Sequence, residues 1–198
     1  MKKTLIHSLT FPPDTISTGM IVSKIAKEIN NTQSNIEILA SSPQYNLKNS
    51  AEFSKINSKI FTTTVEDIPV NYVLSKPREF SNTARFFQWI TFNYHSIKFI
   101  YKNKNEYDNI LIFSYPPTMN LVCIFTSKIL KINTIYSLWE LYPEIAEKIE
   151  EAPNLILRKL FKLLDNLALN SVQKVVVNSD ELKKYLITCL LYTSDAAD

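Results

Sequence analysis

Residues 3–31, KTLIHSLTFPPDTISTGMIVSKIAKEINN, read as a strand, a proline loop and a helix in immediate succession. Lys3–Leu9 is a short apolar run, and Phe11-Pro12-Pro13-Asp14 ends it, because proline fixes φ and removes a backbone donor. After Met20, the apolar residues Ile21, Val22, Ile25, Ala26 and Ile29 recur at helical spacing, with Lys24, Lys27 and Glu28 outside the stripe.

The alternation continues outward from this unit. Strands are expected at Ile36–Ala40, Ile110–Phe113, Thr134–Leu138 and Lys174–Val177, with a weaker one at Val70–Leu74. Helices are expected at Asn82–Tyr101, Met119–Leu130 and Asn154–Ser171, and a last helix is capped by Ser179 with Glu181 in its first turn. Strands that are apolar on both faces, separated by helices, predict a parallel sheet covered on both sides by right-handed crossovers. The expected fold class is therefore α/β, a Rossmann-like three-layer domain with a mainly parallel sheet.

Composition narrows the chemistry. At 198 residues, 45% of them hydrophobic, one core can bury roughly 70% of the unfolded chain's surface without disulfides or metals. Only one glycine occurs, where average usage near 7% would give about 14. A G-x-G-x-x-G dinucleotide fingerprint and a Walker phosphate loop are thereby excluded, since both need several glycines. Cys123 and Cys189 form no C-x-x-C, and His7 and His95 are too few for a zinc centre, so no metal site is expected. The two histidines are expected on the surface or in loops. The N-terminus lacks a signal-peptide pattern and no run of about 18 apolar residues exists, so a cytoplasmic protein is expected. Nothing points to nucleic acid.

Ligands of open α/β sheets bind beyond the carboxyl ends of the strands, and three loops there are candidates. Ser17, Thr18 and the sole glycine, Gly19, open the first helix, where amide groups and the positive dipole end favour an anion. An ordinary Ser/Thr cap explains the same residues equally well. Ser114-Tyr115-Pro116-Pro117 places Tyr115 at a strand exit, which also reads as a rigid turn. Trp139-Glu140-Leu141-Tyr142-Pro143-Glu144 concentrates two aromatics and two carboxylates, a pattern common in ligand-facing loops. Glu144 there also reads as a first-turn stabiliser of the next helix.

Taken in order, PPDTISTGM, LASSPQY, SYPP, LWELYPEIAEKI and VVVNSDELKKYL resemble glycosyltransferase family 4, in particular the N-terminal domain of colanic-acid and O-antigen sugar transferases. The resemblance spans residues 1–188. It implies one half of a GT-B fold: an acceptor-binding domain facing a donor domain that takes a nucleotide-diphosphate sugar, with retention of configuration and neither metal nor other cofactor. It also implies a sugar acceptor, lipid-linked or polysaccharide. Ser17, Thr18 and Gly19 match the family loop near the donor diphosphate and the acceptor. Glu140, Tyr142 and Pro143 match a D-L-W/Y-P pattern, which makes Glu140 the candidate catalytic carboxylate and Tyr142, with Tyr115, Trp139 and Glu144, candidate substrate contacts. Two departures stand out: Glu140 replaces the usual Asp, and Trp139 replaces a His, Arg or Gln. A second reading is a standalone α/β sugar- or nucleotide-binding module without catalysis.

Residues 189–198, CLLYTSDAAD, resemble a translated transposase-type sequencing adapter. On that expectation the native chain is a fragment ending near Thr188 that lacks the donor domain with its E-x7-E-type motif, and is inactive alone. Setting aside Asp195 and Asp198 raises the formal net charge of +3 by two.

Lys76–Lys104 combines cations with aromatics, and Phe86, Trp89, Ile90, Asn93, Ile97 and Ile100 share one helical stripe. Such a stripe is expected either to pack on the sheet, leaving Phe87, Phe92, Tyr94 and Tyr101 partly outside, or to lie at an anionic membrane surface. In the second case Arg85, Phe87, Trp89 and Lys98 are the membrane contacts, and the protein is peripheral on the inner face of the cell membrane.

Overall fold

The computed structural model describes residues 3–32, 35–45, 52–74, 82–113, 117–139 and 155–189, with backbone alone for helix residues 82–86, 117–119, 155, 157, 158, 161 and 189. Seven strands form one sheet: β1 (Lys3–Ser8), β2 (Asn35–Ser41), β3 (Ile60–Val65), β4 (Ile68–Val73), β5 (Asn109–Phe113), β6 (Asn133–Leu138) and β7 (Lys174–Val177). Their order is β3-β4-β2-β1-β5-β6-β7, and every pairing is parallel except β3 with β4. The helices are α1 (Ser17–Asn31), α2 (Asn82–Lys102), α3 (Pro117–Ile129), α4 (Leu155–Leu169) and α5 (Asp180–Cys189). The fold is a mainly parallel, Rossmann-like α/β domain.

Connectivity decides which face each helix covers. The crossover β1–α1–β2 steps one way along the sheet, whereas β4–α2–β5, β5–α3–β6 and β6–α4–β7 step the other way. With right-handed crossovers α1 lies on one face, and α2, α3 and α4 lie side by side on the other. Two cores follow. Leu5, Leu39, Ile110 and Ile112 meet Phe92, Ile100 and Ile124 of the three-helix layer. Ile6, Ile38, Ala40 and Val70 meet Val22 and Ala26 of α1. The central strands β1, β2 and β5 supply both layers because successive side chains point to opposite faces.

The edge strand β3 has no counterpart in the periodicity, whereas β4 answers the weaker strand expected at Val70–Leu74. The FTTTV run of β3 is too polar to signal a buried strand, and the turn into β4, Glu66-Asp67, takes two positive φ values (48° and 65°) without the usual Asn or Gly. Ser179 caps α5 as expected, its hydroxyl accepting a 3.1 Å bond from the Leu182 amide.

Two expectations are corrected on the α2 side. The buried face of α2 is Phe92, Ser96 and Ile100, whereas Ile90 and Ile97 point to solvent with Phe87, Tyr94 and Tyr101. The stripe is rotated because α2 must present its inner face to His7 of β1. His7 is buried in the sheet, not at the surface, with its Nε2 3.3 Å from the Ser96 hydroxyl and its ring 5.1 Å from Phe92. No helix among the described residues is long and apolar enough to cross a membrane.

Burial pushes the His7 imidazole down to a pKa of about 4. The folded state refuses a proton that the unfolded chain accepts near pH 6.5, so stability falls as pH drops from about 6.5 to about 4 and this contribution is flat below that. The loss is on the order of 3 kcal/mol. Chemical denaturation of the wild type against His7→Gln over this pH range checks the assignment: the acid-induced loss is expected to shrink in the variant.

Candidate functional site

The loops after β1, β2 and β4 converge at the carboxyl edge of the sheet. The Ser41 amide donates to the Leu9 carbonyl at 3.1 Å, and the Ser42 amide to the Val73 carbonyl at 2.9 Å. Tyr72 donates its hydroxyl to the Pro12 carbonyl, beside the cis Pro12–Pro13 peptide. Asp14 is the centre of this cluster. It is 1% exposed, and its carboxylate accepts the amides of Gln44 at 2.7 Å and Tyr45 at 2.9 Å, tying the loop before α1 to the exit of β2. Gln44 in turn donates to the Ser42 carbonyl at 2.8 Å. Sequence reasoning passed over Asp14, because a Pro-Asp pair signals a turn and says nothing about partners thirty residues away.

The first turn of α1 sits on this platform. Its cap is Ile16, with extended backbone and no side-chain cap, so the Ser/Thr cap expected as one alternative is not formed. The first helical bond runs from the Met20 amide to the Ile16 carbonyl. The amides of Ser17, Thr18 and Gly19 precede it, and there is no acidic residue in that turn. Such a turn presents donors and a positive dipole end. Ser17 is exposed, Thr18 half-buried and Gly19 buried. Gly19 has no positive φ, and a Cβ built on it would meet Asp14 O at 3.4 Å and Phe11 N at 3.5 Å, ordinary contact distances. Packing within the chain therefore does not require glycine here.

Trp139 lies at the same edge, after β6. Its ring packs edge-on against Phe113 at 5.3 Å, and its indole N–H donates to the Ser137 hydroxyl at 2.9 Å. The Asn178 side chain donates to its carbonyl at 3.3 Å. Trp139 thus anchors the strand ends and has spent its one side-chain donor. Tyr115, Glu140, Tyr142 and Glu144 lie outside the described residues, as do residues 190–198 and the side chain of Arg85. Of the other α2 residues singled out, Phe87 and Lys98 are exposed, and Trp89 packs partly buried against the core.

A cleft of about 610 Å³ opens at the opposite, amino edge, between α2 and the β3–β4 hairpin. Glu37 occupies its floor and accepts from Lys3 Nζ at 2.7 Å and the Tyr107 hydroxyl at 2.7 Å, with Asn71 as a third donor. Burial opposes its charge, but these bonds and the Lys3 ammonium outweigh burial and hold its carboxyl below the usual range. A carboxylate so fully engaged is a structural anchor, not a proton carrier. His95 on the wall is held below its ordinary pKa by burial and by the charges of Lys59 and Lys98. The periodicity gave no hint of this cleft, since the edge strand β3 on its wall is too polar to leave an apolar run.

No protein-family model matches the chain, and no curated protein matches it. Among solved structures it is similar to sucrose-phosphate synthase from Thermosynechococcus elongatus, with a TM-score of 0.56 and 8% identity, over 96% of this chain and 83% of that one. It is also similar to MurG from Acinetobacter baumannii, with a TM-score of 0.40 and 13% identity, over 70% of this chain and 34% of that one. The first likeness shows a shared fold.

Two substitutions separate platform from ligand surface. Asp14→Ala strands the buried Gln44 amide and the part-buried Tyr45 amide and is expected to cost about 2 to 3 kcal/mol in urea denaturation. Gly19→Ala is expected to keep or raise the melting temperature, because alanine is better than glycine in a helix by up to about 1 kcal/mol. A clear fall in melting temperature for Gly19→Ala would return that glycine to a packing role.

Proposed function

We propose that this chain is the acceptor-side half of a GT-B glycosyltransferase of family 4 that moves a sugar from a nucleotide-diphosphate donor to a lipid-linked or polysaccharide acceptor in surface-polysaccharide synthesis, with retention of configuration. The observation that carries the reading is the amide-rich first turn of α1, without a side-chain cap or an acid, set on a platform at the carboxyl edge of the sheet. An anionic group such as a diphosphate suits that turn. The shared fold with sucrose-phosphate synthase supports the same reading. Ser17 and Thr18 would bind through amide and hydroxyl donors, and Gly19 would admit the ligand close to the backbone.

Glu140, with Tyr142 and Glu144 after it and Tyr115 from the neighbouring loop, belongs to this reading through the family motif. Trp139 fits as the residue that braces the loop, since its indole is already engaged. Stabilising charge on a departing diphosphate takes groups from both sides of a cleft. On this reading the donor domain, encoded beyond Thr188, supplies the other side.

The decisive experiment compares residues 1–188 with the chain extended by its own downstream coding sequence. Each is incubated with a panel of labelled nucleotide-diphosphate sugars and lipid extract. Label is expected in the acceptor fraction with the extended protein alone. Transfer by the short chain, or a natural stop codon near residue 188, would favour the binding-module reading instead. In the extended enzyme Glu140→Gln is expected to lower turnover while leaving the melting temperature unchanged. A variant that melts lower with full specific activity would make Glu140 structural.

A further inference from the structure

The amino-edge cleft has a floor and a rim that differ in how their charges are used. On the floor, Lys3 Nζ lies 2.7 Å from the Glu37 carboxylate and 3.0 Å from that of Glu106, and Glu37 takes a further bond from the Tyr107 hydroxyl. These groups close on one another. The rim is built differently. His95, Lys98, Phe99 and Lys102 follow at intervals of three, one and three residues along α2, the spacing that sets side chains on one helix face. Lys59 and Ile60 meet them from the opposite wall, where β3 begins. Among the described residues no carboxylate pairs with Lys59, Lys98 or Lys102, and Lys98 rests against the Tyr94 ring, 4.6 Å from its centre.

Three like charges around one concave space repel each other. Lys98 and Lys102 stand four residues apart, a separation at which like charges destabilise a helix, and Lys59 adds a third from across the cleft. The His95 imidazole beside them feels the same field: burial, then the charges of Lys59 and Lys98, hold it below its ordinary pKa. The negative dipole end of α2 lies at the inner end of this stripe, and Lys102 in the last turn offsets it. Gathered cations of this kind suit an anion of more than one charge. Three ammonium groups exceed what one carboxylate neutralises, whereas a phosphate group offers each of them its own oxygen. A volume of about 610 Å³ admits a small metabolite. Phe99 and Ile60, both half-buried, give the space an apolar side.

We propose that this rim binds the phosphate group of a small phosphorylated solute, with Lys59, Lys98 and Lys102 as charge partners, His95 as a hydrogen-bond donor, and Phe99 and Ile60 against the solute's apolar part. The site is separate from the one proposed for sugar transfer. β1 runs between the two edges of the sheet, and its six residues at about 3.3 Å each put roughly 20 Å between them. A ligand on this rim does not reach the first turn of α1, so the site stands whether or not the chain transfers sugar.

The chain has only two histidines, and they supply the readout. The imidazole C–H signals of the 198-residue chain are followed by NMR against pH, with and without inorganic pyrophosphate, sodium chloride holding the ionic strength constant. His7→Gln assigns the two signals. An anion beside His95 favours its protonated form, so its pKa is expected to rise by about one pH unit with pyrophosphate while the His7 titration stays in place. Lys59→Gln with Lys102→Gln, both exposed, is expected to keep the wild-type melting curve and to lose about tenfold in pyrophosphate affinity as read from the His95 signal. Lys24→Gln with Lys128→Gln removes the same charge elsewhere on the surface and is expected to keep wild-type affinity. A His95 signal that pyrophosphate leaves unmoved would overturn the proposal, and is the result that binding at the first turn of α1 alone would give. Equal loss in the two double variants would overturn it as well, since that is general attraction to a basic chain. Citrate binding as tightly as pyrophosphate would overturn the assignment to phosphate.

Discussion

Strand β1 is hydrogen-bonded along both edges and buried on both faces, and the other elements take their places from that constraint. Its register with β2 and β5 sets the middle of the sheet. Leu5 enters one core and Ile6 the other. A strand apolar on both sides cannot be satisfied by a single layer of helices, so the chain crosses over in both directions along the sheet. The polar exception on β1, His7, is tolerated because α2 offers it a hydroxyl and an aromatic ring. That demand fixes the rotation of α2, and with it which of its apolar residues are left outside.

The two ends of the sheet are finished differently. At the carboxyl end, the loops after β1 and β2 are tied together by backbone amides that converge on one carboxylate, Asp14, beside a first turn of α1 that has neither a side-chain cap nor an acidic residue. At the amino end, Lys3, Glu37, Tyr107 and Asn71 close on one another, so the polar groups on the floor of that cleft are mostly spent on each other. The contrast is between an uncapped helix start at one end and donors already paired at the other.

The two faces of the sheet are also unlike. On one face, α1 carries both signs of charge, Lys24, Lys27 and Glu28. The α2–α3–α4 layer is basic and apolar outside. A freely solvated layer has no need for outward leucines at helical spacing. Segregation of charge and apolar surface onto one face gives the domain a preferred side towards whatever it meets.

The alternation of apolar runs determined the α/β class, the parallel core strands and the positions of the helices, because double-sided burial leaves a continuous apolar signature in each strand. The cap at Ser179 was equally legible, since its partner lies three residues away. Likewise the single glycine marked the turn where α1 begins. Three features needed the tertiary structure. The edge strand β3 is held by its antiparallel pairing with β4, which asks little of side chains and leaves no apolar run. Asp14 acquires its role from amides about thirty residues distant. On α2 and α4, apolar residues occur on more than one side, and periodicity cannot say which side the sheet will take. That was decided by the neighbours each helix packs against, which is a property of the assembled layers and of no segment by itself.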